Sequence, residues 1–572
     1  MNRLRLGPLL RYVDATSAAI WVETDGAATV RVRAGAPEAL DRAAHVAEAR
    51  TFAAHGHHYA LVELDGLAPG SKSAYAVDVD GEQVWPPEGT PYGPSLIATL
   101  EPGKPLRMAF GSCRVSVSHD AAGNDQHGVD ALRAYALRMA GITTDESHSQ
   151  PDDRWPDLVL FLGDQVYADE TSEEMRAFIE QRRDPEQAPW YELKDFEEYA
   201  HLYRLAWTED ANRWLLSTLP SAMIFDDHDV RDDWNTSLDW RRKMESTTWW
   251  HDRIVGGLAS YWIYQHLGNL GPAERAADPL WQRVKSHRGP GELDLSTALD
   301  DLAERADQDP ACYRWSFARE FDTQARLVVV DSRAGRVLDP EHRSMLDQAE
   351  MDWLDEQLRG DVDHLLIGTS LPFLLAPALH HAEAFSEALA EGSFGRLPAK
   401  LGEWLRQAVD LEHWAAFGEG FVRVGRMVVE TASGARGRAP SSVTFLSGDV
   451  HHSYVAEAWP ADPALRSRTA PILQAVCSPI RNPLPGVMRA ATALASHGTA
   501  RPTGRLLRGR VPASPLHWRL TKGPWYDNNL AVLEIHGERL RLWWSTGEVV
   551  DGRDDRPRLR RVASVEQGKA DG

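Results

Sequence analysis

Leu158-Val159-Leu160-Phe161-Leu162-Gly163-Asp164-Gln165-Val166-Tyr167 reads as a short apolar strand that ends abruptly in a polar turn. The same pattern recurs along the chain. Leu106 to Phe110 runs into Gly111-Ser112-Cys113-Arg114, and Ala222 to Phe225 into Asp226-Asp227-His228-Asp229. Leu327 to Val330 runs into Asp331-Ser332-Arg333, and Val443 to Ser447 into Gly448-Asp449-Val450-His451-His452. One such junction is an ordinary strand-ending turn, where Asp and Gly are common. Five of them place carboxylates, imidazoles, a thiol and a phenol along one edge of a sheet. Ligands of open α/β sheets bind at that edge, the carboxyl ends of the strands.

Working outward, the apolar strands alternate with long helical or irregular stretches, which predicts an α/β layered core over residues 105–550. Helices are expected at 129–140, 174–182, 195–218, 345–359 and 401–416, with insertions at 115–156, 232–310 and 375–400. Residues 1–100 differ. Ala18 to Glu23, the alternating Thr29-Val30-Arg31-Val32-Arg33, Leu61 to Leu64 and Tyr75 to Val79 are separated by Gly and Pro turns, as in a small all-β sandwich. Its Leu64-Asp65-Gly66-Leu67-Ala68-Pro69-Gly70 and Tyr75-Ala76-Val77 resemble a fibronectin type III-like module. His55, His57 and His58 read as a surface turn of that sandwich, and residues 551–572 as a frayed, charged tail.

Composition narrows the function. A chain of 572 residues exceeds one ordinary core, and 43% hydrophobic residues is enough to bury a sizeable one. The balance of 62 Lys+Arg against 84 Asp+Glu, a net charge of −22, repels polyanions. It argues against a nucleic-acid binder and leaves a small phosphate ester open as substrate. Cys113, Cys312 and Cys477 do not form a disulfide framework. No secretory apolar region and no membrane-length apolar run is read, so no integral membrane segment and a cytoplasmic location are expected.

The residue types at the junctions suit a hard or borderline metal. Two adjacent metals clamp a phosphate and make hydroxide from water at neutral pH, and a neighbouring His stabilises the developing charge or protonates the leaving oxygen. Without cations, so many buried acids would cost several kcal/mol each or shift their pKa.

Taken in order, Gly-Ser-Cys at 111–113, Gly-Asp-x-x-Tyr at 163–167, Asp-Asp-His-Asp at 226–229 and Gly-Asp-Val-His at 448–451 resemble the PhoD-type alkaline phosphatases, a branch of the calcineurin-like metallophosphoesterases. The resemblance implies a metallophosphoesterase β-sandwich core flanked by helices behind the N-terminal all-β domain. It implies hydrolysis of phosphate monoesters, diesters or both, with Fe(3+) and Ca(2+) as cofactors. Position by position, it makes Asp164 the metal-bridging carboxylate and Cys113 and Tyr167 ferric ligands. Asp449 and His451 stand where the last motif supplies metal ligands, and Asp227 stands for the second metal's Asn. His228 would contact the phosphoryl group and Asp229 would orient it. Gly111-Ser112-Cys113 replaces the Asp-x-His of the wider superfamily, which agrees with the PhoD branch and argues against a plain two-zinc or two-manganese site. Beyond the third motif, Asp233 or Asn235 fills a further cation position, with Asp233 preferred. Arg114 and Arg333 each follow a strand end and either bind phosphate or pair with local acids; Arg114 joins His228 and Asp229 in the expected catalytic set. His452 points to the opposite face from His451 and is expected outside the site. Two other readings compete: a lipid- or polymer-directed phosphodiesterase, with insertions 232–310 and 375–400 as cleft walls, and a non-catalytic metal-binding scaffold.

Overall fold

The junction strands lie at the centre of the molecule. The computed structural model describes residues 2–143, 155–339, 342–377, 379–380, 383, 412–484, 489 and 513–567. Leu106–Gly111, Leu158–Leu162 and Ser221–Ile224 run parallel side by side. Leu530–His536, Arg539–Glu548 and Arg558–Gln567 extend them antiparallel into a six-stranded sheet. A seven-stranded sheet orders Phe317–Phe321, Ala325–Val330, His364–Thr369, Ser442–Ser447, Ile472–Val476, Ser453–Pro460 and Leu516–Trp525.

Alternation along the strands sorts the layers. Met108, Leu160 and Leu162 of the first sheet share a core with Leu327, Val329, Leu366, Leu446 and Leu473 of the second. The alternate residues Val328, Val330, Leu365, Ile367, Val443 and Phe445 pack outward, in a separate core with helices Gln348–Gln357 and Gly418–Ala432. Two sheets therefore face each other with helices outside, the mixed α/β architecture expected.

Residues 4–98 form two antiparallel sheets around Leu10, Ile20, Val22, Val32, Val62 and Val77. This all-β region is joined closely to the rest. Strand Ala18–Thr24 is buried along its whole length. Ile20 and Val22 face the sandwich core, whereas Ala19 and Trp21 enter the core of the central sheets. Arg11, fully buried, donates from Nη1 to Tyr264 O at 2.5 Å and from Nη2 to Gln265 O at 2.7 Å. Insertion 232–310 folds largely as helices and returns one short strand, Leu293–Asp294, which pairs with Phe52–Ala54.

Several expectations change. The helix at 195–218 is two helices, Phe196–Trp207 and Asp210–Thr218, because the Glu209 carboxylate caps the second by accepting from Asn212 N at 2.9 Å. Of 401–416, residues 401–411 lie outside the described residues, and Trp414–Ala416 is a short 3-10 turn. The long helix lies just beyond, at Gly418–Ala432, where Gly418, Gly420 and Gly425 hide it from propensity and burial on the sheet overrides them. The tail is not frayed over Arg558–Gln567, which pairs along its length with Arg539–Glu548. Leu559 is buried there and Arg561 lies over the Trp543 ring at 5.2 Å, so its charges decorate a strand. Most of 375–400 and residues 144–154 lie outside the described residues.

His57 is also corrected: only 5% exposed, it is buried between the sandwich and the central domain. Nδ1 lies 2.9 Å from Glu23 Oε1 and Nε2 2.7 Å from Glu197 Oε2, while Tyr264 Oη donates to Glu23 Oε2 at 3.1 Å. Burial alone would depress this imidazole, but the two carboxylates outweigh it and lift its pKa from 6.5 to about 9. A value raised on folding makes the contact fully stabilising below pH 6.5 and removes that contribution as pH rises through about 9. The melting temperature of the wild-type chain is therefore expected to fall between pH 6.5 and 9.5 more steeply than that of His57→Gln. Parallel pH curves for the two proteins would refute this.

Candidate metal centre

Three loops emerge side by side from the parallel strands of the first sheet, and a fourth comes from the second. Backbone hydrogen bonds zip them together. Cys113 N donates to Gly163 O at 3.3 Å, Gly163 N to Ile224 O at 3.0 Å, and Gly448 N to Ser370 O at 2.9 Å. Asp449 N donates to Ser112 Oγ at 3.0 Å, crossing from one sheet to the other. The glycine of each Gly-Asp pair is dictated by this closeness. A Cβ on Gly163, at φ +99°, would meet Asp226 Cβ at 2.7 Å; one on Gly448 would meet Ser112 Oγ at 2.1 Å. Cys113, Asp164, Asp449 and His451 all adopt positive φ, from 49° to 63°. Such backbone costs about 1–3 kcal/mol per residue and persists where surrounding structure enforces it, commonly at functional sites.

Among the described residues the loops gather three groups of donor atoms, each within 4.8 Å: Asp227, His228 and the exposed Asp232, and two others. One is Cys113, Asp164 and His451; the other is Asp164, Asp226, Asp227 and Asp449. Asp164 is common to both. Tyr167 packs against Cys113, and its Oη donates to Asp164 Oδ2 at 3.5 Å. Asp164 Oδ1 and Asp226 Oδ2 are buried without any hydrogen-bond partner. Burial first, then the negative neighbours, drives Asp164, Asp226 and Asp227 above the usual carboxylate range. Burial likewise pushes the Cys113 thiol up to about 12. Orphaned oxygens on crowded acids are what a cation would satisfy. The donor set fits one: a thiol, phenol, imidazole and carboxylate on one side, oxygens alone on the other.

Protein cations already offset part of this charge. Arg333, fully buried, pairs with Asp226, with Asp227 at 3.1 Å and with Glu412, where Nη2 donates to Oε1 at 2.6 Å. Of its two expected alternatives, the acid pairing is the one formed. His413 Nε2 lies 3.2 Å from Asp449 Oδ2 and Nδ1 2.9 Å from Glu383 Oε1. Although burial opposes it, contact with His413 holds the Asp449 carboxyl down at about 2.

Other expected residues sit differently. His228 is in place, its ring 4.8 Å from that of Tyr167, but its Nδ1 meets Asp169 at 2.9 Å, not Asp229. Asp229 braces the loops: Oδ2 accepts from Asp164 N and Asp226 N, both at 2.9 Å, and Oδ1 accepts from Gln265 Nε2 at 3.1 Å. Asp233 enters through its backbone, its N–H donating to Asp227 Oδ2 at 3.1 Å. Among the described residues its carboxylate belongs to none of the donor groups. Arg114 turns away to Asp130, at 2.9 Å from Nε and 2.8 Å from Nη2, and to Ala206 O, so its guanidinium is structural. His452 turns its Nδ1 to Val450 O at 2.6 Å, away from the His451 donor. Sequence reasoning missed Asp226, Asp169 and His413. Asp226 lies inside a polar junction and Asp169 two residues beyond another, whereas nothing around His413 marks it.

A family model described as PhoD-like phosphatase matches residues 146–502, and one described as a domain of unknown function (DUF7800) matches residues 1–97. No curated protein matches the chain. Among solved structures, one titled as the structure of PhoD is similar in fold, with a TM-score of 0.58 at 13% identity over 98% of this chain and 90% of that one. The purple acid phosphatase PPD1 from yellow lupin (Lupinus luteus) seeds gives a TM-score of 0.46 at 10% identity, over 98% of this chain and 73% of that one.

Because Asp229 supplies no donor to any of these groups yet braces two ligand-bearing loops, Asp229→Ala is expected to weaken cation binding about 10- to 100-fold, as loss of an outer-shell partner does. Asp229→Asn, which keeps one acceptor oxygen, should lose less. Calorimetric titration of the metal-stripped protein measures both, and an Asp229→Ala affinity equal to wild type would contradict the bracing role.

Proposed function

The chain belongs to the PhoD-like phosphatase family, and from that premise we propose a division of labour for its site. The protein is a metal-dependent phosphoester hydrolase. In our reading Cys113, Asp164, Tyr167 and His451 hold the Fe(3+), and Asp164, Asp226, Asp227 and Asp449 hold the Ca(2+). A thiolate and a phenolate suit the first ion and an all-oxygen set the second. Bound there, the ions supply Lewis acidity, polarising phosphoryl oxygens and lowering the pKa of water. The observation that carries this assignment is the pair of donor groups sharing Asp164, with orphaned buried oxygens on Asp164 and Asp226.

The chain's own groups do the rest. Asp169 holds His228 by Nδ1, and Nε2, 4.0 Å from Asp232 Oδ1, carries a proton toward the leaving oxygen. Burial disfavours the charged imidazole, but Asp169 and Asp227 outweigh it and raise its pKa above the ordinary value. Arg333 and Asp229 keep the acidic loops together when substrate charge arrives. Activity on diesters as well as monoesters is part of this reading. The N-terminal sandwich is taken as fibronectin type III-like, which its two antiparallel sheets support.

The purified protein is expected to contain iron and calcium by elemental analysis and to hydrolyse p-nitrophenyl phosphate and bis-p-nitrophenyl phosphate. Asp164→Asn should lower kcat/KM by about a thousandfold, equivalent to about 4 kcal/mol of barrier. His228→Ala should cost about 10²- to 10⁴-fold on alkyl esters and less on p-nitrophenyl esters, whose leaving group needs less protonation. A folded Asp164→Asn with full turnover would overturn the reading in favour of a scaffold. Zinc or manganese alone would overturn the ion assignment.

A further inference from the structure

Trp262-Ile263-Tyr264-Gln265-His266 prolong helix Trp250–Tyr261 as a π-helical turn, in which Leu267 N donates to Trp262 O at 2.9 Å. Such turns are rare and are frequent at functional sites. Gln265 of this turn is fully buried. Its Nε2 donates to Asp229 Oδ1 at 3.1 Å and to Tyr203 Oη at 2.9 Å. Asp229 Oδ2 in turn accepts from Asp164 N and Asp226 N. One carboxylate therefore separates the amide from the backbone of two cation-donor residues. Gln265 Oε1 has no hydrogen-bond partner. A buried acceptor left unpaired costs stability. The amide is thus a poor choice for the fold and a good one for Asp229, whose Oδ1 it supplies with a donor.

The turn is fixed from the N-terminal sandwich. Arg11, on strand Leu4–Val13, donates to Tyr264 O at 2.5 Å and to Gln265 O at 2.7 Å, and its Nη2 reaches Asn269 Oδ1 at 3.3 Å. Carbonyls at a helix end lack partners within the helix, and this guanidinium supplies them. A Cβ on Gly268 would meet Arg11 Cζ at 2.5 Å, so the guanidinium fills room that a glycine leaves. Tyr264 Oη donates to Glu23 Oε2 at 3.1 Å and lies 3.0 Å from Tyr59 Oη. Glu23 and Tyr59 stand on two further sandwich strands, Ala18–Thr24 and His57–Leu64. Asn269 also binds the strand that leads to Asp226: its Oδ1 accepts from Met223 N at 2.9 Å and its Nδ2 donates to Met223 O at 2.6 Å.

We propose that Gln265 is a positioning residue of the cation centre: it sets Asp229, and the N-terminal sandwich sets Gln265 through Arg11. The proposal rests on the metal-dependent reading above and adds a control of that site from the other domain.

The test titrates calcium calorimetrically into the full chain stripped of metal, for wild type, Gln265→Met and Arg11→Lys, each variant alone and combined with Asp229→Ala. Methionine keeps the length of the side chain without its N–H, and lysine keeps the charge without the planar fork that spans two carbonyls. Each single variant should bind calcium about tenfold more weakly, as loss of an outer-shell partner does. In the Asp229→Ala background the same substitutions should cost about twofold or less, because their effect runs through Asp229. Hydrolysis of p-nitrophenyl phosphate by the single variants should recover when calcium is raised to saturation, which a misfolded site would not allow. Arg11→Lys carries the test if Gln265→Met does not fold. Wild-type calcium affinity in a folded Gln265→Met, or equal losses with and without Asp229, overturns the positioning role and leaves the cation centre standing. A loss in Gln265→Met with none in Arg11→Lys overturns the control from the sandwich. A wild type that binds no calcium overturns both the proposal and the reading beneath it.

Discussion

Four carboxylates, those of Asp164, Asp226, Asp227 and Asp449, converge within 4.8 Å in a buried place. Like charges so close and so dry repel strongly. Much of the surrounding structure answers that repulsion. Arg333 reaches two of the acids with a guanidinium fully removed from water, and His413 reaches a third. Asp229 ties the backbone of two motif loops to each other. What remains unsatisfied, two orphaned carboxylate oxygens, is the demand that cations meet.

Holding such a cluster calls for rigid support, since an acid that swung out to solvent would relieve the strain and lose the site. Support comes from two directions. The paired central sheets supply strand ends that cannot shift without breaking a shared core. The N-terminal sandwich braces the far side of the six-stranded sheet. Trp21 is inserted into that core, and Arg11 ties down backbone carbonyls of the insertion beside strand Ser221–Ile224. Arg11 also donates to Ser221 O at 3.4 Å, at the start of the strand that leads to Asp226 and Asp227. The sandwich thus bears on the site through packing, at a distance from the chemistry.

Legibility varied with how local the cause was. The strand-then-polar-turn junctions were readable because each is a contiguous apolar run, and strand ends of a parallel sheet converge whatever the loops do. Cys113, Asp164 and Asp227 follow from that rule, whereas Asp449 and His451 end a strand of the other sheet and only the facing of the two sheets brings them in. Asp169 and Asp229 exchanged the role expected for one of them. In sequence Asp229 adjoins His228 and Asp169 stands 59 residues before it, and only loop geometry decides which meets Nδ1. The helix Gly418–Ala432 and the strand Arg558–Gln567 were hidden by glycines and arginines, whose local preferences burial and pairing overrode.

The sequence alone determined where strands end in polar turns, which residue types stand there, and hence that a cation-holding edge exists. Those are properties of short segments, set by apolar runs and glycine. Tertiary structure decided the partnerships. His57 as a buried contact between domains, Arg114 turned to Ala206 O, Arg333 among three acids and the His452 ring beside that of Tyr526 each join segments far apart in the chain. A side chain's charge is legible in one dimension, but which opposite charge lies within hydrogen-bond reach is a fact of the fold.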